Sequence, residues 1–176
     1  MRRALDKEQA RRVQDIHLAV LAIETVRDFV PRAMDKRIDL GYEGPEPGAA
    51  VPPLAGQPLL VRELIRNLVD NALQYTPSGG TVTVRLLVDP FGQVQVLQVE
   101  DSGPGIPEAE HELVFQPFYR ALGTGVDGSG LGLAIVREIA HQHGATISIE
   151  DTNPRVSAGA TPGTRFTVRF PVPRRG

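Results

Sequence analysis

Three short segments of the chain carry residues that could do chemistry. Asn67 and Asn71 stand four apart in Asn67-Leu68-Val69-Asp70-Asn71-Ala72. Asp101 opens Asp101-Ser102-Gly103-Pro104-Gly105-Ile106-Pro107, and Gly128-Ser129-Gly130-Leu131-Gly132-Leu133 runs straight into an apolar stretch. Glycines at alternate positions remove the Cβ atoms that would hold a ligand away from the main chain. A helix starting there offers unpaired amides and the positive end of its dipole, a setting for phosphate. A side-chain amide oxygen is a hard ligand suited to Mg²⁺, which keeps several waters and takes further oxygens from phosphates. A carboxylate such as Asp101 accepts a hydrogen bond from an exocyclic amine, while Gly103 and Gly105 let a flat ring approach the backbone. Each segment alone has a bland reading, as a closed loop, a solvated helix residue or a strand-ending turn. Together they imply a nucleotide-binding site.

The elements that must position these residues follow from periodicity. Leu60, Val61, Leu64, Ile65, Leu68, Val69, Ala72 and Leu73 recur at helical spacing, which predicts a helix over 59–75 ended by Thr76-Pro77-Ser78-Gly79-Gly80. Four residues turn a helix through about 400°. Glu63, Asn67 and Asn71 therefore form one polar row at the margin of the apolar face, with Asn71 nearest the buried side. Strands are expected near 38–42, 81–88, 93–101, 146–150 and 164–170, a second strong helix over 131–142 closed by Gly144, and a short helix with a docking segment over 107–120. Gly44 to Pro58 reads as a loop with at most a short strand near 50–54. Residues 1–30 read as mostly helical, and Pro31 is expected to interrupt that pattern.

Composition narrows the function. The 176 residues carry a net charge of −2, which argues against general nucleic-acid binding. There are no cysteines, so thiolate metal sites and a cysteine nucleophile are excluded. No apolar run approaches the ~20 residues that cross a bilayer, so the fragment is expected to be soluble. Phe115 and Phe118 are expected to form an apolar anchor, with Tyr119 beside them, next to a glycine-rich loop over 121–129. Arg120 stands between that anchor and the glycines, either as a surface residue or as a cation for a terminal phosphate.

The segments resemble the catalytic, ATP-binding domain of sensor histidine kinases, in the gyrase–chaperone–histidine kinase–MutL superfamily with the Bergerat fold. Asn67 to Ala72 matches the N box, Asp101 to Gly105 the first glycine box, Phe115 to Arg120 the F box and Gly128 to Leu133 the second glycine box. The likeness covers about residues 38–172. It implies an α/β two-layer sandwich, a mixed, mostly antiparallel sheet packed on helices, with a mobile ATP lid over about 104–129. Residues 31–176 would be the ATP-binding domain and 1–30 a remnant or linker of the dimerisation hairpin. Mg²⁺ would be held by Asn71 and the adenine amine by Asp101, helped by the Thr164 hydroxyl. Tyr75, Gly103, Gly105 and Ile106 would surround the nucleoside. Asn67, Arg120, Gly128, Ser129, Gly130, Leu131, Gly132 and Leu133 would surround the phosphates, with Asn67 and Arg120 in catalytic roles. Gln74 stands where many relatives carry a basic residue, which offers a hydrogen bond to phosphate but no charge.

The implied activity is donation of the γ-phosphate of Mg-ATP to a histidine on a separate dimerisation domain of the same kinase, with a response regulator downstream. The family's phosphoacceptor context is absent around His17, His111, His141 and His143. The fragment is accordingly expected to be a cytoplasmic, mostly monomeric portion of an inner-membrane sensor kinase. Superfamily ATPases place a glutamate where this chain has Asn67, and asparagine cannot take a proton from water. The resemblance thus favours transfer over hydrolysis, with a nucleotide-binding pseudokinase or regulatory module, or a superfamily ATPase, as the alternatives.

Overall fold

The computed structural model describes residues 13–119, 132–153 and 160–173. Five strands form one sheet: β2 (Asp39–Glu43), β4 (Thr81–Val88), β5 (Val94–Asp101), β6 (Thr146–Glu150) and β7 (Thr164–Pro171), in the order β2-β4-β5-β7-β6. β2 runs parallel to β4, and the other three pairings are antiparallel. A separate antiparallel ribbon pairs β1 (Gln14–Ile16) with β3 (Leu54–Gly56). Three helices, α1 (Leu18–Asp35), α2 (Pro58–Tyr75) and α3 (Gly132–Gln142), make the second layer. The result is the expected α/β sandwich with a mixed, mostly antiparallel sheet.

Alternation decides which face of each strand meets the helices. On β4, Val82, Val84 and Leu86 are buried; on β5, Leu97 and Val99; on β7, Phe166, Val168 and Phe170. Against them α2 sets Val61, Leu64, Ile65, Leu68, Val69 and Leu73, each at most 1% exposed. Each such side chain stabilises the fold by about 1.5–3 kcal/mol relative to exposure. Pro58 opens α2 at a position where its missing N–H costs nothing, and Pro77 forces Thr76 into extended backbone and ends it.

The chain departs from its sequence-based reading at three places. Residues 14–16, expected to be helical, form β1, because pairing with β3 buries Ile16 against Leu54. The helix that follows passes through Pro31 and continues to Asp35. The carbonyl that loses its partner, on Arg27, lies on the exposed side of α1 where water serves it, and Ala33 beyond it is buried. A division at residue 30 therefore falls inside α1, whose buried face joins the same core as the sheet. The short helix expected over 107–120 is instead two 3₁₀ turns, Glu108–Glu110 and Leu113–Phe115.

The outer face of the sheet is tied by charge. Glu43, Arg85, Glu100, Arg165 and Glu150, one from each strand, alternate in sign across it. Glu100 sits at the centre, 2.8 Å from Arg85 and 2.9 Å from Arg165. The hydrogen bond from Arg85 is the main cause that holds its carboxyl below the usual range, with Arg165 adding to it against a desolvation cost. A depressed carboxyl pKa contributes stability above the unfolded-state value that is lost as pH falls through the folded one. Glu100→Gln is expected to lower stability at pH 7 by about 1–2 kcal/mol. Urea unfolding at pH 7 and in acid checks this, because the gap between the two proteins should shrink as pH falls.

Candidate nucleotide site

Asp101 is the last residue of β5 and is buried, 6% exposed. Its Oδ1 accepts hydrogen bonds from the amides of Gly103, at 2.8 Å, and Thr164, at 3.2 Å. No described residue donates to Oδ2, which leaves that oxygen to accept from a ligand. Burial pushes the carboxyl up to about 6, opposed by the two amides, which favour the charged form. The group is therefore ionised at neutral pH but close to its limit. Thr164 helps Asp101 through its amide here, rather than through the hydroxyl expected from the resemblance.

The turn around Asp101 depends on glycines with no room to spare. A Cβ on Gly103 would lie 3.0 Å from both Asp101 Oδ1 and the Tyr75 carbonyl. At Gly105, φ +85°, a Cβ would lie 2.8 Å from Pro162 Cγ. Gly163 is the tightest: at φ +70° a Cβ would stand 2.1 Å from the Asp101 carbonyl. That carbonyl accepts from Thr152 Oγ1 at 3.1 Å, and the Gly163 amide donates to the Gly103 carbonyl at 3.0 Å. Gly163 and Thr152 were not singled out in the sequence. A glycine directly before Thr164 was the available signal, but only the register Asp101↔Thr164 shows what it must avoid.

The asparagine row meets the other half of the site. Asn67 is half-buried, and its Oδ1 lies 3.3 Å from the point a Cβ on Gly132 would occupy, at the first residue of α3. Its Nδ2 donates to Glu63 Oε1, 3.3 Å away. Asn71 is half-buried, and among the described residues its carboxamide has no partner. Gln74 does not join this row. Its amide donates to Asp70 at 3.0 Å, which places it on the 62-66-70 side of α2 that faces α1. Tyr75 is half-buried at the end of α2, its carbonyl against Gly103. Arg120, Gly128, Ser129, Gly130 and Leu131 lie outside the described residues.

At the base of the expected lid Phe115 is anchored to the core, whereas Phe118, expected to join it, is 72% exposed in a left-handed turn at φ +66°. Phe115 meets Phe166 edge to face at 6.3 Å, and Arg137 of α3 covers the Phe115 ring while pairing with Glu112 at 3.1 Å. His111 Nε2 bonds the Ile106 carbonyl at 2.9 Å, and Tyr119 donates to Glu110. Ile106 and Leu133 are half-buried and pack on the core edge.

Residues 56–174 match the family described as Histidine kinase-, DNA gyrase B-, and HSP90-like ATPase. The chain belongs to this family. A signal transduction histidine-protein kinase/phosphatase, MprB, of Mycobacterium sp. (strain KMS) is 49% identical over 109 residues, 61% of this chain and 20% of that protein. The structure of a mycobacterial sensor histidine kinase MprB covers 93% of this chain and 99% of its own, at TM-score 0.73 and 30% identity. The nucleotide-free catalytic domain of histidine kinase ThkA covers 92% and 99%, at TM-score 0.74 and 26% identity. The chain thus spans about a fifth of the length of the first of these relatives, and its fold is that of a family ATP-binding domain. Both solved structures take in residues well before 56, in keeping with the packing of α1 into the core. Gly163→Ala is expected to be destabilising by about 2–4 kcal/mol, because it combines a strained φ with a backbone clash. Thermal unfolding checks this, with Gly79→Ala as the comparison, since Gly79 also has positive φ but open space around it.

Proposed function

We propose that the domain binds ATP with the adenine amine on Asp101 Oδ2 and the phosphates between the Asn67–Asn71 row and the start of α3. It then presents the γ-phosphate to a histidine supplied by a separate dimerisation domain of a sensor kinase. The observation that carries this reading is Asp101, a buried carboxylate with one oxygen fixed by two amides and the other left to a ligand. The mycobacterial relatives are named as histidine-protein kinases, which supports the kinase half of the proposal, and the parent is proposed to be a membrane-associated sensor of that kind. No helix among the described residues is long and apolar enough to cross a membrane.

The donor set fits Mg²⁺ bound with nucleotide better than a protein-only metal site. Among the described residues no group of three or more acidic, histidine or cysteine side chains is arranged so that it could hold a metal ion. What the α2 row offers is the unpartnered carboxamide of Asn71, with Asn67 Oδ1 toward α3. Mg²⁺ held there would neutralise charge on the phosphate oxygens and leave the remaining ligands to water and ATP. The chain's own residues supply orientation. Asp101, Gly103 and Tyr75 fix the nucleoside, and the α2 row fixes the phosphates, so that the terminal phosphorus faces outward. An imidazole nitrogen then forms the N–P bond as the bond to the bridging β–γ oxygen breaks and ADP departs.

Among the described residues of the α2 row, hydrolysis finds no base at the expected position. Asn67 occupies the position one turn before Asn71, and Glu63, the next carboxylate on that row, is exposed and accepts from Asn67. Radiolabelled ATP incubated with the chain and a matching dimerisation domain is expected to label histidine, while the chain alone releases little phosphate. Rapid phosphate release without acceptor would favour an ATPase, and binding without transfer a regulatory module.

Two binding measurements test the site. Asn71→Ala is expected to abolish most of the Mg²⁺ enhancement of ADP affinity in calorimetric titration. Because ligand needs the ionised Asp101, affinity should fall about tenfold between pH 7 and pH 5 for a group titrating near 6. Asp101→Asn should bind more weakly at both pH values and lose that part of the pH dependence.

A further inference from the structure

The end of α2 poses a specific problem of unpaired carbonyls. A helix leaves its last four carbonyls without partners of its own. The Ala72 carbonyl accepts from the Thr76 amide at 3.0 Å. The donor that would serve Leu73 in a longer helix belongs to residue 77, and Pro77 has no N–H. Beyond it the chain turns away through Gly79, at φ +92°. The last turn of α2 also holds no basic side chain to complement the helix dipole.

The solution comes from another element. Lys36, at the C-terminal cap of α1, places its Nζ 2.7 Å from the Leu73 carbonyl and 2.9 Å from the Gln74 carbonyl. Its placement is built into the corner that follows α1. Arg37 takes φ +59°, and the Ile38 amide returns to the Ala33 carbonyl at 2.8 Å. The Gly79 amide donates to the Arg37 carbonyl at 2.9 Å, which stitches this corner to the loop after α2. α1 and α2 run side by side in one direction, joined by Glu24–Arg62, Asp28–Arg66 and Arg32–Asp70. Burial first, and the Arg32 cation second, lower the Lys36 pKa, the expected cost of setting an ammonium there.

The fourth carbonyl leads to the site. Tyr75 presents its carbonyl to Gly103, and the Gly103 amide in turn holds Asp101 Oδ1. We infer that Lys36 is a positioning residue for the adenine end of the nucleotide site, acting through the last turn of α2 on Tyr75 and the Gly103 turn. It touches no ligand. It fixes the carbonyls of residues 73 and 74 so that the next peptide forms the wall against which Gly103 packs. The inference rests on the nucleotide reading for its consequence, but the path from Lys36 to Gly103 stands without nucleotide.

The test compares Lys36→Met, Lys36→Gln, Lys36→Arg and Glu24→Gln in the whole chain. Glu24→Gln loosens the same helix seam at its far end and serves as control. Amide hydrogen exchange, measured without nucleotide, should show faster exchange at Gly103 in Lys36→Met, a smaller increase in Lys36→Gln, recovery in Lys36→Arg and no change in Glu24→Gln. In calorimetry Lys36→Met should weaken adenosine and ADP by the same factor, about fivefold. The ratio of ADP affinities with and without Mg²⁺ should stay as in the parent chain, because Asn71 lies before the capped carbonyls. Lys36→Gln carries the comparison should Lys36→Met not fold. A lowered unfolding midpoint with unchanged exchange at Gly103 would make Lys36 a stability residue only and overturn the inference. So would a loss that Arg does not restore, or one that Glu24→Gln reproduces. Absence of ADP binding by the parent chain would sink the nucleotide reading, while the exchange data would still decide the role of Lys36.

Discussion

A buried carboxylate that must remain charged is the constraint on which the rest of this structure depends. Taking Asp101 out of water raises its pKa toward neutrality, and only the Gly103 and Thr164 amides restrain that rise. Both amides belong to backbone that must pass within hydrogen-bond distance of the carboxylate. That requirement excludes side chains at Gly103 and Gly163 and brings β7 into antiparallel register with β5 at the position of Thr164. The order of the central strands and the glycines of the turn are therefore parts of one arrangement. Its result is one aspartate oxygen with no donor among the described residues at the end of the sheet.

The second organising element is α2, which serves three neighbours with three rows of side chains. Leu64, Ile65, Leu68 and Val69 are spent on the sheet. Asn67 points to Gly132 at the start of α3, and Arg62, Arg66 and Asp70 pair with α1. The surface ion pairs to α1 are individually worth little, at most about 1 kcal/mol each. Their value is geometric, since three equal offsets of 38 residues fix the register of one helix on the other. Phe29, lying under the guanidinium groups of Arg32 and Arg66, adds apolar contact to that seam.

The parts legible in the sequence were those governed by local periodicity. The helix now seen as α2, the β4–β5 hairpin and the last two strands follow from the spacing of apolar residues, with boundaries within a residue or two. What escaped reading depends on distant partners. β1 is a strand only because Leu54 lies beside Ile16, and Pro31 is tolerated only because its helix presents that side to water. At the site, Asp101 and the asparagine row could be picked out by type and spacing. Thr152 and Gly163 could not, because their roles arise from contact with the Asp101 carbonyl some 50 to 60 residues earlier in the chain. Gln74 shows the converse. The resemblance implies a place for it near the phosphates, whereas its amide donates to Asp70, one turn back on the row of α2 that faces α1.

The same row of α2 bears on the choice between transfer and hydrolysis. A general base for water must lie within hydrogen-bond reach of the attacking atom and be able to take its proton. Asn67 faces the start of α3, where the proposed phosphates would lie, and fails the second condition by its chemistry. Glu63 meets the second, but its carboxylate lies a full turn back, exposed, and accepts from the Asn67 amide. That hydrogen bond has a further effect: by taking Nδ2, Glu63 turns the Asn67 carbonyl oxygen toward α3. On the proposed reading this row would offer carboxamide oxygens to metal-bound phosphate and, among the described residues of α2, no base placed to activate water. A phosphoryl group held so is protected until a nucleophile arrives from outside the domain, which is the property a phosphodonor needs and a hydrolase must lack.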